Sequence, residues 1–336
     1  MNNQSRGFYI NRAVSIFFGI TVGLFLAVGV MAVSQKPVAD FDGDGKTDIS
    51  VFRPSNGFWY VAKSSGGYSS VQWGLGTDRL VPGDYDGDGK TDLAVYRLGP
   101  GYNFPTTPGD YIWYILKSTD NTPLAKNWGT NVFIEWDTPT PADFDGDGKT
   151  DLAVYRLSDA LGSPGKFKIL QSSNNSPNIT NWGVTTDALI PADYDGDGKA
   201  DLAVFRYGLF TSQPDNTWYI LQSSTGTLRT ERFGLRSDQL VPADYDGDGK
   251  TDIAVWRPSD GIWYRLNSSN GSFNAFRFGA SDDKPTPGDY DGDGKTDFAV
   301  YRPSTGTWYL QQSTNGFAAR QFGLTEDIPL PPISAR

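Results

Sequence analysis

Asp244-Tyr245-Asp246-Gly247-Asp248-Gly249-Lys250-Thr251-Asp252 is one of six nearly identical nine-residue stretches, the others starting at Asp40, Asp84, Asp143, Asp193 and Asp289. Each has aspartates at positions 1, 3, 5 and 9 and glycines at 4 and 6. The glycines let the backbone turn tightly enough for the carboxylates to converge. Carboxylates held this close repel one another unless a cation sits among them. An all-oxygen donor set on a flexible loop suits calcium better than zinc or copper. The expected ligands are Asp40, Asp42, Asp44 and Asp48; Asp84, Asp86, Asp88 and Asp92; Asp143, Asp145, Asp147 and Asp151; Asp193, Asp195, Asp197 and Asp201; Asp244, Asp246, Asp248 and Asp252; and Asp289, Asp291, Asp293 and Asp297. The carbonyl of the position-7 lysine joins each set, for about six Ca2+ ions in all. A metal-free Asp-Gly turn accounts for one aspartate, not for four at fixed spacing.

The loop departs from an EF-hand at position 12, where the bidentate glutamate is replaced by Val51, Val95, Val154, Val204, Val255 or Val300. The segment after each loop reads as strand rather than helix: Ile253-Ala254-Val255-Trp256-Arg257 is β-branched and aromatic. Loop starts lie 44, 59, 50, 51 and 45 residues apart, a period that with several strands per unit signals a propeller. In the fifth unit, strands are expected over 239–245, 253–258, 261–267 and 273–278, four antiparallel strands making one blade. The predicted fold is therefore an all-β β-propeller of six four-stranded blades over residues 35–336.

These loops, the Ala-Val-Tyr-Arg-Pro type of strand after them, and the aromatic-glycine pairs at Trp73, Trp128, Trp182, Phe233, Phe278 and Phe322 resemble FG-GAP or VCBS repeats. Those are calcium-binding propeller repeats related to those of integrin α-chains. The resemblance covers nearly all of residues 36–330. It implies a secreted or surface-exposed calcium-dependent propeller, with adhesion or carbohydrate binding as the expected role. Integrin heads have seven blades, whereas six loops occur here.

A second regularity predicts how the ring closes. An aspartate lies 19 residues before the arginine of the second strand in five units: Asp78 and Arg97, Asp137 and Arg156, Asp187 and Arg206, Asp238 and Arg257, Asp283 and Arg302. Folding the first strand back on the second sets each pair opposite one another. Arg53 has no such partner, and the C-terminal segment 322–332 copies the lead into a first strand and then stops. Asp327 is thus expected to pair with Arg53, with the C-terminal segment completing the first blade.

Residues 1–34 differ from the rest: Arg6 and Arg12 precede an apolar run over 13–33 that ends in Ala32-Val33-Ser34. This reads as a secretory signal, or as a membrane anchor if uncleaved. Export to the periplasm or the cell exterior is expected. The chain has no cysteine and no histidine and a formal charge of −10. Removing residues 1–34, with two arginines and no acid, takes that charge to −12. Acidity argues against nucleic acid as a partner, and the six loops hold 24 of the 39 acidic residues.

Strand alternation sorts the connections onto two faces. Longer second-to-third-strand loops occur in units 2, 3 and 4, over 98–110, 157–165 and 207–216, on the face opposite the acidic loops. Their aromatic residues Tyr102, Phe104, Tyr207 and Phe210 are candidates for stacking on a sugar or on a protein side chain. The repeated pairs Trp59-Tyr60, Trp113-Tyr114, Trp218-Tyr219, Trp263-Tyr264 and Trp308-Tyr309 are expected to pack one ring toward each neighbouring blade. Unit 3 has Phe167-Lys168 instead, which predicts a more open groove there. Without histidine, cysteine, a Gly-x-Ser-x-Gly elbow or a phosphate-cradling loop, an enzyme is not expected. The sequence reads as a monomeric extracellular module binding a glycan or a protein, with calcium structural; a passive spacer or a glycan hydrolase or lyase are the alternatives.

Overall fold

The computed structural model describes residues 39–100, 109–132, 135–158, 163–208 and 216–330; the segment 1–34 lies outside them. Their regular structure is all β, with no helix long and apolar enough to cross a membrane. The fifth repeat follows the expected order, Gln239–Leu240, Ile253–Arg257, Ile262–Leu266 and Phe273–Arg277, each antiparallel to the next. The first strand is shorter than expected. Beyond Leu240 it stays against its neighbour through the bond from Val241 N to the Ala254 carbonyl, 3.0 Å, and through the bridge between Ala243 and Asp252, where the acidic loop begins and ends.

Six separate four-stranded blades do not form. Repeats 1, 4, 5 and 6 give four-stranded sheets, but repeats 2 and 3 share one eight-stranded sheet running from Arg79–Leu80 to Pro177–Val184. The cause is local. In five repeats the aromatic of the aromatic-glycine pair lies five residues before the paired aspartate, whereas Trp128 lies nine before Asp137. The extra residues let Pro123–Val132 continue into Glu135–Pro139 as a hairpin, pairing Asn131 with Trp136 and Val132 with Glu135. The two sheets become one.

The six repeats nevertheless close into a ring. Residue 8 of every acidic loop donates its backbone N–H to the position-1 carbonyl of the preceding loop: Thr91 to Asp40, Thr150 to Asp84, Ala200 to Asp143, Thr251 to Asp193 and Thr296 to Asp244, at 2.6–2.7 Å. Thr47 completes the circle with a 2.6 Å bond to Asp289. Ser50, Val51 and Phe52 pair with Leu330, Pro329 and Ile328, so the C-terminal strand supplies the missing edge of the first sheet.

Between successive repeats lie apolar clusters built from the period-2 alternation of the strands. Trp59 packs with Phe52, Val95 and Leu330, while its neighbour Tyr60 faces the other way onto Ile49, Tyr301 and Trp308. The same split holds for Trp263 and Tyr264, as expected. The tryptophans at this position are at most 2% exposed, and burial of such rings dominates the interfaces.

Candidate metal centres and the opposite face

Loop geometry begins with its glycines. Gly247 and Gly249 sit at φ 80° and 83°, a left-handed region that a side chain disfavours. This turns both N–H groups inward onto Asp244, whose Oδ1 accepts from Gly247 at 2.6 Å and Oδ2 from Gly249 at 2.8 Å. Asp252 is buried completely. Its Oδ2 accepts from Tyr245 N at 3.0 Å and its Oδ1 from Ser268 N at 2.6 Å, pinning the loop to the turn between the third and fourth strands. Burial pushes Asp48, Asp201 and Asp252 up to about 6 and Asp297 to about 7. Burial likewise raises the position-1 residues Asp40, Asp143, Asp193, Asp244 and Asp289, against the opposing pull of their glycine N–H groups.

Carboxylate oxygens of positions 1 and 3 converge. In the first three loops the third member lying within 4.8 Å is position 9, giving Asp40 with Asp42 and Asp48, Asp84 with Asp86 and Asp92, and Asp143 with Asp145 and Asp151. In the next two it is position 5, giving Asp193 with Asp195 and Asp197, and Asp244 with Asp246 and Asp248. Of the two position-3 residues in the last loops, Asp246 and Asp291 each keep a buried Oδ1 that accepts no hydrogen bond.

One set of contributors was missed. A Ser-Ser or Ser-Thr pair in the turn after the third strand reaches back to every loop: Ser64 Oγ donates to Asp44 at 2.7 Å and Ser65 Oγ to Asp42 at 2.5 Å. Ser223 and Ser224 do the same to Asp197 and Asp195, and Ser268 and Ser269 to Asp248 and Asp246. The signal was present, because the dipeptide recurs in all six repeats at 64, 118, 172, 223, 268 and 313.

At the other end of the strands, all six ion pairs form, including Arg53 with Asp327 at 2.8 Å. Every one of those aspartate side chains is fully buried. In five repeats the guanidinium also lies over the third-strand tyrosine, 4.3 Å from the Tyr264 ring centre for Arg257. In repeat 3 Lys168 takes an ion pair: its Nζ reaches Asp137 at 3.1 Å, so Asp137 is held by both Arg156 and Lys168. Phe167 meanwhile fills the buried slot of the tryptophan.

Of the four aromatic candidates, Tyr102, Phe104 and Phe210 lie outside the described residues. Tyr207 is half-buried, edge-on to Phe205 at 5.0 Å, with the Arg236 guanidinium 5.5 Å from its ring centre.

A closed ring of strand repeats joined through acidic loops defines the class, a β-propeller built on an acidic-loop repeat. Residues 40–95 and 244–300 match the family of FG-GAP-like repeats, as the loop and strand motifs led one to expect. No curated protein matches the chain in sequence. Among solved structures it is similar to AofleA from Arthrobotrys oligospora (10% identity, TM-score 0.47, covering 85% of this chain and 89% of that one). It is also similar to a streptogramin B lyase (10%, TM-score 0.46, 87% and 85%) and to BBS1N in its complex with ARL6DN (11%, TM-score 0.46, 82% of each).

Proposed function

We propose that this chain is an exported propeller whose acidic loops hold calcium as a structural ion, and whose opposite face binds an extracellular glycan or protein. The observation that carries the metal half is the pair of buried carboxylate oxygens at Asp246 and Asp291 that no donor satisfies. An unsatisfied buried carboxylate oxygen is costly, and the surrounding donors are carboxylates and hydroxyls, the set a hard divalent cation prefers. Positions 1, 3, 5 and 9 with the position-7 carbonyl would hold it, and bound calcium would supply the positive charge that four clustered carboxylates lack. Extracellular modules bind calcium at roughly 10⁻⁴ to 10⁻³ M, so the loops would fill after export.

The binding half is supported by asymmetry. Acidic loops and ion pairs repeat in all six units, but the second-to-third-strand loops lengthen only in repeats 2, 3 and 4. A rigid ring with variable loops on one face is how such scaffolds present recognition sites. The test is a glycan array probed in millimolar calcium and again in EDTA. A calcium-dependent hit supports a lectin-like module; a blank array on folded protein moves the reading to a protein ligand or a spacer.

A further inference from the structure

Two residues of repeat 2 break the internal pattern, and both line one cavity. Arg79 opens the first strand, pairing with Tyr96; its equivalents are Thr138, Ala188, Gln239, Lys284 and Ile328. Tyr111 stands two residues before the third-strand tryptophan, where the other repeats have Gly57, Gly165, Asn216, Gly261 and Gly306. At Gly57, Gly261 and Gly306 a Cβ would come within 2.2–2.5 Å of a backbone oxygen. Tyr111 escapes that clash through a register shift between Asp110 and Ile112. The scaffold thus requires neither residue.

Thr77, Arg79, Tyr96, Arg97, Leu98 and Tyr111 line a cavity of about 400 Å³, open to solvent, at the strand ends remote from the acidic loops. Tyr111 is half-buried and stacks on the buried Tyr96, with ring centres 4.5 Å apart and planes within 12°. Arg97 gives Nε and Nη2 to Asp78. Arg79 is exposed, and among the described residues it has no carboxylate partner; its hydrogen bond is from Nη1 to Thr138 Oγ1 at 3.3 Å. Of the two guanidiniums in the lining, that of Arg97 is neutralised by Asp78, which leaves the charge of Arg79. A tyrosine face, a threonine hydroxyl and a planar guanidinium without a carboxylate partner suit a flat-faced, hydroxylated ligand carrying a carboxylate. The volume falls within the range of small-ligand sites, roughly 300–1,000 Å³.

We infer that this cavity binds one acidic sugar residue of the hexuronate type, its carboxylate on Arg79 and its ring against Tyr111. The inference rests on the reading of this face as the binding face and names the ligand class. The experiment is saturation-transfer NMR and calorimetry on the full calcium-loaded chain with glucuronate and with glucose as probes, repeated on Arg79→Gln and Tyr111→Leu. The expected result is binding of glucuronate, none of glucose, weakening of about tenfold in Arg79→Gln, and loss of the ligand ring-proton saturation in Tyr111→Leu. Because the comparison of the two sugars uses the unaltered chain, it stands even if a variant folds poorly. Equal binding of both sugars, no binding of glucuronate, or an unchanged affinity in folded Arg79→Gln overturns the inference. Binding of other glycans on the array alongside any of these results would leave the broader reading intact and remove only the acidic-sugar site.

Discussion

Arg53 holds Asp327 through Nε and Nη2, at 2.8 and 2.9 Å, across 274 residues of chain. The same fork joins Arg97 to Asp78 and Arg257 to Asp238 within single repeats, where the separation is 19. Only the first pair ties the two ends of the chain, and it stands at the edge where Ile328–Leu330 enters the first sheet.

Asp327→Ala is therefore expected to lower stability by about 3 kcal/mol, because it strands a partly buried guanidinium and loosens the strand that closes the ring. Urea unfolding against the unaltered chain measures this. A loss below about 1 kcal/mol, within the range of an exposed pair, would show that the ring is held without it.

Chelation is expected to lower the melting temperature sharply. Each ion that binds only the folded chain contributes about 2.7 kcal/mol at a free concentration 100 times its Kd. Calorimetric scans in millimolar calcium and in EDTA check the outcome, and identical melts would remove the metal reading.

Acidity acts on the metal-free chain in an unusual direction. Asp48, Asp201 and Asp252 ionise at about 6 and Asp297 at about 7 when folded, because they are buried. Unfolded aspartates ionise near 3.9, so across the interval between these values the folded chain binds the extra protons. Stability in EDTA should accordingly rise as pH falls from about 7 to about 4. Calcium affinity should fall over the same range, since protons compete for the ligands. Melting temperatures in EDTA at pH 7.5 and pH 5, with a calcium titration at each, read both effects; a lower melt at pH 5 in EDTA would refute the assignment.

Two glycines of repeat 5 separate strain from collision. Gly261 and Gly271 both sit at φ 68°, but a Cβ at Gly261 would lie 2.4 Å from the Gly279 carbonyl oxygen, whereas nothing lies within 4 Å at Gly271. Gly271→Ala should cost about 1 kcal/mol, the penalty of the left-handed conformation alone. Gly261→Ala should add about 1–3 kcal/mol for displacing the opposing backbone. Equal losses in denaturant unfolding would mean that the aromatic-glycine turn yields freely.

Much of this molecule was legible because it says the same thing six times. The loop spacing, the alternation around each Trp-Tyr pair and the interval of 19 between aspartate and arginine are local patterns, and local geometry carried them into strands, opposite-facing rings and ion pairs. Repetition also exposed the exceptions. Asp327 could be matched to Arg53 only because the other pairs showed what Arg53 lacked.

Other features misled, and the reasons are equally specific. Trp128 and Asp137 stand four residues further apart than their counterparts, and the spacing alone did not reveal that the surplus would pair with itself and fuse two sheets. Lys168 read as a gap in the packing, yet its ammonium lies against Asp137, a residue 31 positions earlier. The serine and threonine hydroxyls on the acidic loops were visible as a recurring dipeptide but lay 20 to 33 residues from the carboxylates they meet.

By itself, then, the sequence determined which segments become strands, where the chain turns and which acids crowd together, because those depend on backbone preference and period within a few residues. The tertiary structure alone decided how many sheets the six repeats make, which hydroxyls complete the acidic loops, and that Arg79 and Tyr111 share a cavity. Those outcomes depend on contacts between residues distant in the chain, whose free energy exists only once the ring has closed.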